Sequence, residues 1–238
     1  MKLKRLLLPV LLFTAAIFTC HAQFPISIKQ VLDPGKGGLT VQDATAGIRE
    51  ALKQGTGESV KIVSKTNGYL ANPEIKIPFP QEAKEVETKL RAIGLGSQVD
   101  EVVTSINRAA EDAAKSAEPV FVSAITGMTV SDAINIVKGN DDAATRYLEK
   151  TTSPELKVKF SPIIKASLDR VDATRLWTEV IRQYNQIPFV KKQNPDLTAY
   201  VTEKAIAGLF VMVAREEVKI RKNPAARSTE ILKKVFGN

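Results

Sequence analysis

Ala205-Ile206-Ala207-Gly208-Leu209-Phe210-Val211-Met212-Val213-Ala214 is ten consecutive apolar residues, counting the glycine. Asn194-Pro195-Asp196 precedes the run as a helix start, and Arg215-Glu216-Glu217 follows it with charge. Ten residues are too few to cross a bilayer, which takes about 20. A helix that is apolar all round is normally buried on all sides. The run therefore predicts a helix at the centre of a bundle.

The flanking sequence supplies the helices to surround it. Thr40 and Asp43 have capping-box spacing and open a helix through Ile48, Ala51 and Leu52. Its apolar face continues through Val60 and Val63, weakened by Gly55 and Gly57, and Asn67-Gly68 ends it because both tolerate positive φ. Residues 81–93 are helical by composition and stop at Gly94 and Gly96. Ser97 is placed to cap a helix with Val99, Val102, Val103, Ile106, Ala109, Ala110, Ala113 and Ala114 on one wide stripe. Pro119 ends that helix or opens the next. Residues 119–128 read as a short helix, with a strand at Val120-Phe121-Val122 as the alternative.

Thr129 and Asp132 repeat the capping pattern, and Gly139-Asn140 closes the helix they open. Asn140 or Asp141 is placed to cap the next, through Ala144, Tyr147 and Leu148. Ser153-Pro154 reads as the start of another, kinked or divided at Pro162. Asp172 caps a helix through Leu176, Trp177, Val180, Ile181 and Tyr184. Asn223-Pro224 opens the last, whose apolar positions are Ile231, Leu232, Val235 and Phe236.

One stretch breaks the helical pattern: Leu70-Ala71-Asn72-Pro73-Glu74-Ile75-Lys76-Ile77-Pro78-Phe79-Pro80. Ile75, Ile77 and Phe79 alternate with Lys76 and Pro78, and three prolines exclude both a helix and a sheet centre. It reads as an extended arm laid across the helices. The fold class is all-α, a single compact multi-helix bundle with one extended Pro-containing arm.

The first residues point to export. Lys2, Lys4 and Arg5 precede an apolar stretch at 6–18, and Cys20-His21-Ala22 suits signal cleavage before Gln23. The expected organisation is a signal peptide at 1–22, an irregular Gly/Pro-containing segment at 23–40 and one helical domain at 41–238. The protein is expected to be periplasmic or secreted, with lipid anchoring at Cys20 as the alternative. Cleavage removes the one cysteine and the one histidine of the chain. The mature chain then lacks the groups for Cys–His and Ser–His–Asp catalysis and for the usual zinc sites. Three positive charges leave with the signal, reducing the formal +8 to +5, and residues 215–238 hold seven basic and three acidic side chains.

Several motifs occur together in one order: Asn72-Pro73-Glu74-Ile75-Lys76-Ile77-Pro78, Asn107-Arg108-Ala109-Ala110-Glu111 and Gly139-Asn140-Asp141-Asp142-Ala143-Ala144-Thr145-Arg146-Tyr147. Gly208-Leu209-Phe210, Ala214-Arg215-Glu216-Glu217, Ile220-Arg221-Lys222-Asn223-Pro224-Ala225-Ala226-Arg227 and Lys234-Val235-Phe236-Gly237 continue the series. Over nearly the whole mature chain this resembles a family of exported bacterial proteins known only as a domain of unknown function. The resemblance implies a Gram-negative envelope protein and carries over no catalytic residues. Gly55-Thr56-Gly57 departs from the smoother helix that the family leads one to expect.

The candidate polar cluster is Asn107, Arg108, Glu111, Asp132, Tyr147, Arg215, Glu216, Arg221 and Arg227. Asn107 stands out because it interrupts an apolar face. Arg108 can reach Asp112, Glu111 can reach Lys115, and Glu217 can reach Arg221, each one helical turn away. Glu216 and Glu217 point about 100° apart on a helix, so acid–base work there needs a carboxylate from elsewhere, with Glu111 or Asp132 in view. Asp141-Asp142 offers oxygen ligands but no EF-hand loop. Tyr147, Tyr184 and Tyr200 read as core-edge residues. Gly35-Lys36-Gly37-Gly38 lacks phosphate-loop spacing, and no nucleic-acid module is recognisable.

The resulting expectation is an envelope protein that binds or scaffolds rather than catalyses, with no cofactor, no metal and no membrane-spanning segment in the mature chain. Its partner is an anionic envelope component or another envelope protein. An exposed apolar groove beside the basic end would favour this. The competing reading is a carboxylate-dependent hydrolase of an envelope polymer, which needs two converging carboxylates, one with a raised pKa.

Overall fold

In the computed structural model the described residues form eight α-helices: α1 (Val41–Val63), α2 (Lys84–Ala92), α3 (Gly96–Ala114), α4 (Ala117–Thr126), α5 (Val130–Lys138), α6 (Ala143–Asp169), α7 (Ala173–Asn185) and α8 (Leu197–Lys222). A 3-10 turn, Pro224–Ala226, follows. The described residues are 40–80, 83–92, 94, 96–186, 188, 189, 192, 194, 196–230 and 233, and they include no strand. The expected signal peptide, the segment to residue 39, the apolar positions from Ile231 onward, and the side chains of Leu176, Val180 and Tyr184 lie outside them. The structure is an all-α compact bundle.

The apolar run lies in α8, which packs against α1, α3, α6 and α7. Asp196 caps this helix by accepting from the Ala199 N–H at 2.9 Å. Burial on all sides does not hold. Val211 is 41% exposed, and Ala207 and Arg215 also face solvent. These positions are four apart, so α8 keeps one narrow stripe open while Ala205, Leu209, Met212 and Val213 face inward. On α3 the stripe Ala109, Ala110, Ala113 and Ala114 is fully buried. Short side chains let α6 and α8 approach it closely, and close contact is what dispersion rewards.

Both expected capping boxes are present. The Thr40 and Thr129 hydroxyls accept from the N–H groups of Asp43 and Asp132, and those carboxylates accept from the threonine N–H groups. α1 ends earlier than Asn67-Gly68 suggested, at Val63 with Ser64 as its cap, and Asn67, at φ 68°, belongs to the turns that follow. Val120, Phe121 and Val122 are helical, with Pro119 in the first turn of α4. There a proline removes a donor that would have no partner anyway. Ser97 is inside α3, which already begins at Gly96.

Two expected boundaries are absent. Ser153-Pro154 starts nothing, and Pro162 divides nothing: α6 runs 27 residues through both prolines. Both prolines are exposed, as are Lys150 and Val158, whose carbonyls lose their partners. Those carbonyls face water instead of the core, so the helix tolerates the loss. Nor does Asn140 or Asp141 cap α6. Asp142 holds the cap position but bonds none of the open N–H groups; its carboxylate accepts from the Arg146 side chain at 2.7 Å instead. Asp172, at φ 56°, precedes α7 and pairs with Arg175.

The arm is extended only from Lys76; before it the chain turns, with the Ile75 and Lys76 N–H groups donating to the Asn72 carbonyl, yet the burial alternates as expected. Ile75, Ile77 and Phe79 are buried, whereas Lys76 and Pro78 are exposed. Phe79 meets Trp177 edge to face at 5.3 Å between ring centroids, an arrangement that favours the positive ring edge over the negative face.

Candidate functional site

The residues of the expected polar cluster separate into distinct places. The first is a clasp between α3 and the arm. Asn107 is completely buried. Its Oδ1 accepts from the Ile77 N–H at 2.9 Å, and its Nδ2 donates to the Ile77 carbonyl at 2.8 Å and the Val103 carbonyl at 2.7 Å. The amide thus treats Ile77 as a neighbouring strand would, satisfying a main chain that has no sheet. Glu111 Oε1 accepts from the N–H groups of Tyr69 and Leu70, each at 3.1 Å. Arg108 donates to Glu111 Oε2 at 2.6 Å and to Asn67 Oδ1 at 2.9 Å. The expected pairs Arg108–Asp112 and Glu111–Lys115 do not form, because Glu111 is turned to the arm and Lys115 pairs with Asp112.

α8 completes this clasp. The Tyr69 hydroxyl donates to the Ala205 carbonyl at 2.6 Å. Burial, and then the Glu111 charge, push the Tyr69 phenol well above its ordinary range. Arg215 pairs with Glu74 at 2.8 Å. A Cβ on Gly208 would lie 2.8 Å from Tyr69 Cε1 and 3.1 Å from Ile75 Cβ, so only glycine admits the arm here.

The second place is the junction of α6 and α8. Glu217, buried, accepts from the N–H groups of Ala144 at 3.0 Å and Thr145 at 2.8 Å, and from the Thr145 hydroxyl at 2.7 Å. It therefore caps α6 from another helix, which is why Asn140 and Asp141 need not. Arg221 grips Glu217 at 2.8 Å and donates to the Ile136 carbonyl at 3.1 Å, linking α5 to the pair. Asp141 instead pairs with Lys222, which holds its carboxyl below the usual range. Arg227, also buried, donates to the carbonyls of Ile220 at 3.2 Å and Arg221 at 2.9 Å. A cation at a helix C-terminus satisfies open carbonyls and opposes the helix dipole. Gln54 of α1 donates to the Ala226 carbonyl and accepts from Ser228.

The remaining candidates stand apart. Asp132 belongs to its capping box, and the Thr129 hydroxyl and N–H lower its pKa. Tyr147 donates to the Ala124 carbonyl at 3.4 Å, and burial raises its phenol. Glu216 pairs with Lys219. The buried carboxylates Glu87, Glu111, Glu216 and Glu217 each have an Arg or Lys partner. Among the described residues no group of three or more His, Cys, Asp or Glu side chains converges.

A cleft lies beside the second place. Ile48, Leu52 and Gly55 of α1 form one wall and Val213, Ile220 and Arg221 of α8 the other, with Ile136, Ala144 and Glu217 between them. Its volume is about 30 Å³, or about 380 Å³ counting empty space out to its open mouth. The lining is almost wholly apolar. The sequence missed Glu217 as a cap, although it falls in the buried phase of Val213 and Ile220, where a carboxylate needs a partner.

No curated protein and no solved structure matches this chain. One family does, over residues 38–237. Because the match spans nearly all of the bundle, the chain belongs to the family described as protein of unknown function, DUF4197.

Proposed function

We propose that the protein is exported and acts in the bacterial envelope as a binding or scaffold protein without catalysis. The observation that carries this is the apolar cleft beside the basic end of the chain. It is lined by Val213, Ile220 and Arg221, with Lys222 at the end of α8 and Arg227 just past the 3-10 turn that follows. The pairing of each buried carboxylate with a cation supports the same reading, because acid–base work needs a carboxyl free to exchange its proton.

Mass spectrometry of the protein recovered from its own envelope tests the export. A denatured chain beginning at Gln23 is expected. An unprocessed chain in the cytoplasm overturns export, and a lipid mass on Cys20 replaces the soluble form with an anchored one. Catalysis is tested separately with Glu216→Gln. The expected result is normal folding and an unchanged envelope phenotype. A folded variant with the deletion phenotype would reinstate the hydrolase reading.

A further inference from the structure

After the arm, the helices from α2 to α8 are joined by connections of at most four residues, with one exception: α7 ends at Asn185 and α8 begins at Leu197, so residues 186–196 join them. Helix–helix connections in bundles usually run about 2–8 residues, and residues that bind sit disproportionately on loops. On this connection stands Phe189, fully exposed and the most exposed of the large apolar side chains described. Its φ is 64°, a left-handed conformation unfavourable for a bulky residue. The fold therefore holds an aromatic ring in water on an unfavourable backbone, and burial within the bundle offsets neither cost.

The sequence here is apolar and then basic: Ile187-Pro188-Phe189-Val190-Lys191-Lys192. No acidic residue lies between Glu179 and Asp196. Asp196 is itself committed to the cap of α8, where it accepts from the Ala199 N–H. Pro188, Lys192 and Asn194 are exposed like Phe189. A protein partner needs a complementary patch of about 800 Å² on each side, and one ring beside polar and cationic neighbours does not make one. A lipid interface has no such requirement. It accepts a single apolar projection at the acyl boundary while adjacent cations meet anionic headgroups.

We propose that the connection between α7 and α8 docks the protein on an anionic lipid surface, with Phe189 at the acyl boundary and Lys192 among the headgroups. The proposal rests on the envelope reading above and names its partner. The test is co-sedimentation of the mature chain with vesicles of phosphatidylglycerol and phosphatidylcholine, and with vesicles of phosphatidylcholine alone. Binding to the anionic vesicles should saturate. It should be roughly tenfold weaker or worse on the zwitterionic ones, and equally weakened in about 1 M salt, where the Debye length falls to about 3 Å. Phe189→Ser and Lys192→Glu should each weaken anionic binding by roughly tenfold. Both should leave Tm unchanged, because both side chains are exposed. Phe189→Trp should keep the binding and shift its emission to the blue on anionic vesicles; Trp177, the one native tryptophan, is buried and serves as the constant background. Absence of saturable binding, equal binding to both vesicles, undiminished binding by Phe189→Ser, or unshifted emission would each overturn the proposal. Crosslinking from position 189 to an envelope protein, without vesicle binding, would overturn it in favour of a protein partner. A chain processed at Gln23 that does not bind anionic vesicles loses this partner while the scaffold reading stands. A chain that binds them but is never exported loses the envelope assignment alone.

Discussion

Asn107 has three hydrogen bonds and no exposed surface, and two of the bonds reach a residue thirty positions away. Truncation to alanine would leave the N–H and C=O of Ile77 buried without partners. An unsatisfied buried group costs about 1–3 kcal/mol, so Asn107→Ala should lower the unfolding free energy by about 3 kcal/mol in urea titrations. Gly208→Ala forces a methyl to within 2.8 Å of the Tyr69 ring, and overpacking of this kind costs about 1–3 kcal/mol. The same titration checks it, and Gly57→Ala is the control that should stabilise by about 0.5–1 kcal/mol. The sequence marked Asn107 because a polar side chain interrupts an apolar face. It did not reveal the partner, since nothing local connects α3 to the main chain of Ile77. Glu111 was legible as half of a surface pair and as a candidate second carboxylate, but not as an acceptor for the Tyr69 and Leu70 N–H groups, for the same reason.

The N-terminus of α6 shows how far an element can depend on a distant one. Glu217 supplies the cap that local residues do not, and removing one member of a buried ion pair costs about 3–5 kcal/mol. Glu217→Ala should destabilise by an amount in that range. Native-state hydrogen exchange should also show lost protection at Ala144 and Thr145, while the Thr129 cap of α5 stays unaffected. Equal loss across the bundle would mean that the cap is not local in effect. Element existence was readable because the capping boxes and the 3.6-residue stripes depend on neighbours in sequence. Element length was not. Ser153-Pro154 has the chemistry of a helix start, yet α6 passes through it. An interior proline costs a helix one hydrogen bond and a ring–carbonyl contact; here the residues that lose the bond, Lys150 and Val158, are exposed to water, and exposure is a tertiary property.

For the molecule as a whole, the shifted groups set both ends of the pH range. Glu87, Asp132 and Asp141 are held below their ordinary values by Lys84, Thr129 and Lys222 respectively. Their stabilisation is complete above the unfolded carboxylate range near pH 4 and is lost as pH falls through the lower folded values. Tyr69 acts at the other end. Its folded pKa is raised above 10.0, so its contribution is full below that pH and declines as pH rises further. Thermal unfolding should therefore give a plateau through neutrality with an acid and an alkaline limb. Tyr69→Phe should flatten the alkaline limb, and Thr129→Ala should shrink the acid one. An alkaline limb unchanged in Tyr69→Phe would assign it to other groups. By itself the sequence determined the helical class, the caps of α1 and α5, the start of α8, the arm's alternating burial, and the family. These follow from periodicity and capping within a few residues of the chain. Only the tertiary structure decided the single long α6, the open stripe on α8, the arm's clasp on α3 and the cleft between α1 and α8. Each of these depends on which surfaces meet, and the burial that selects them is shared by residues far apart in sequence.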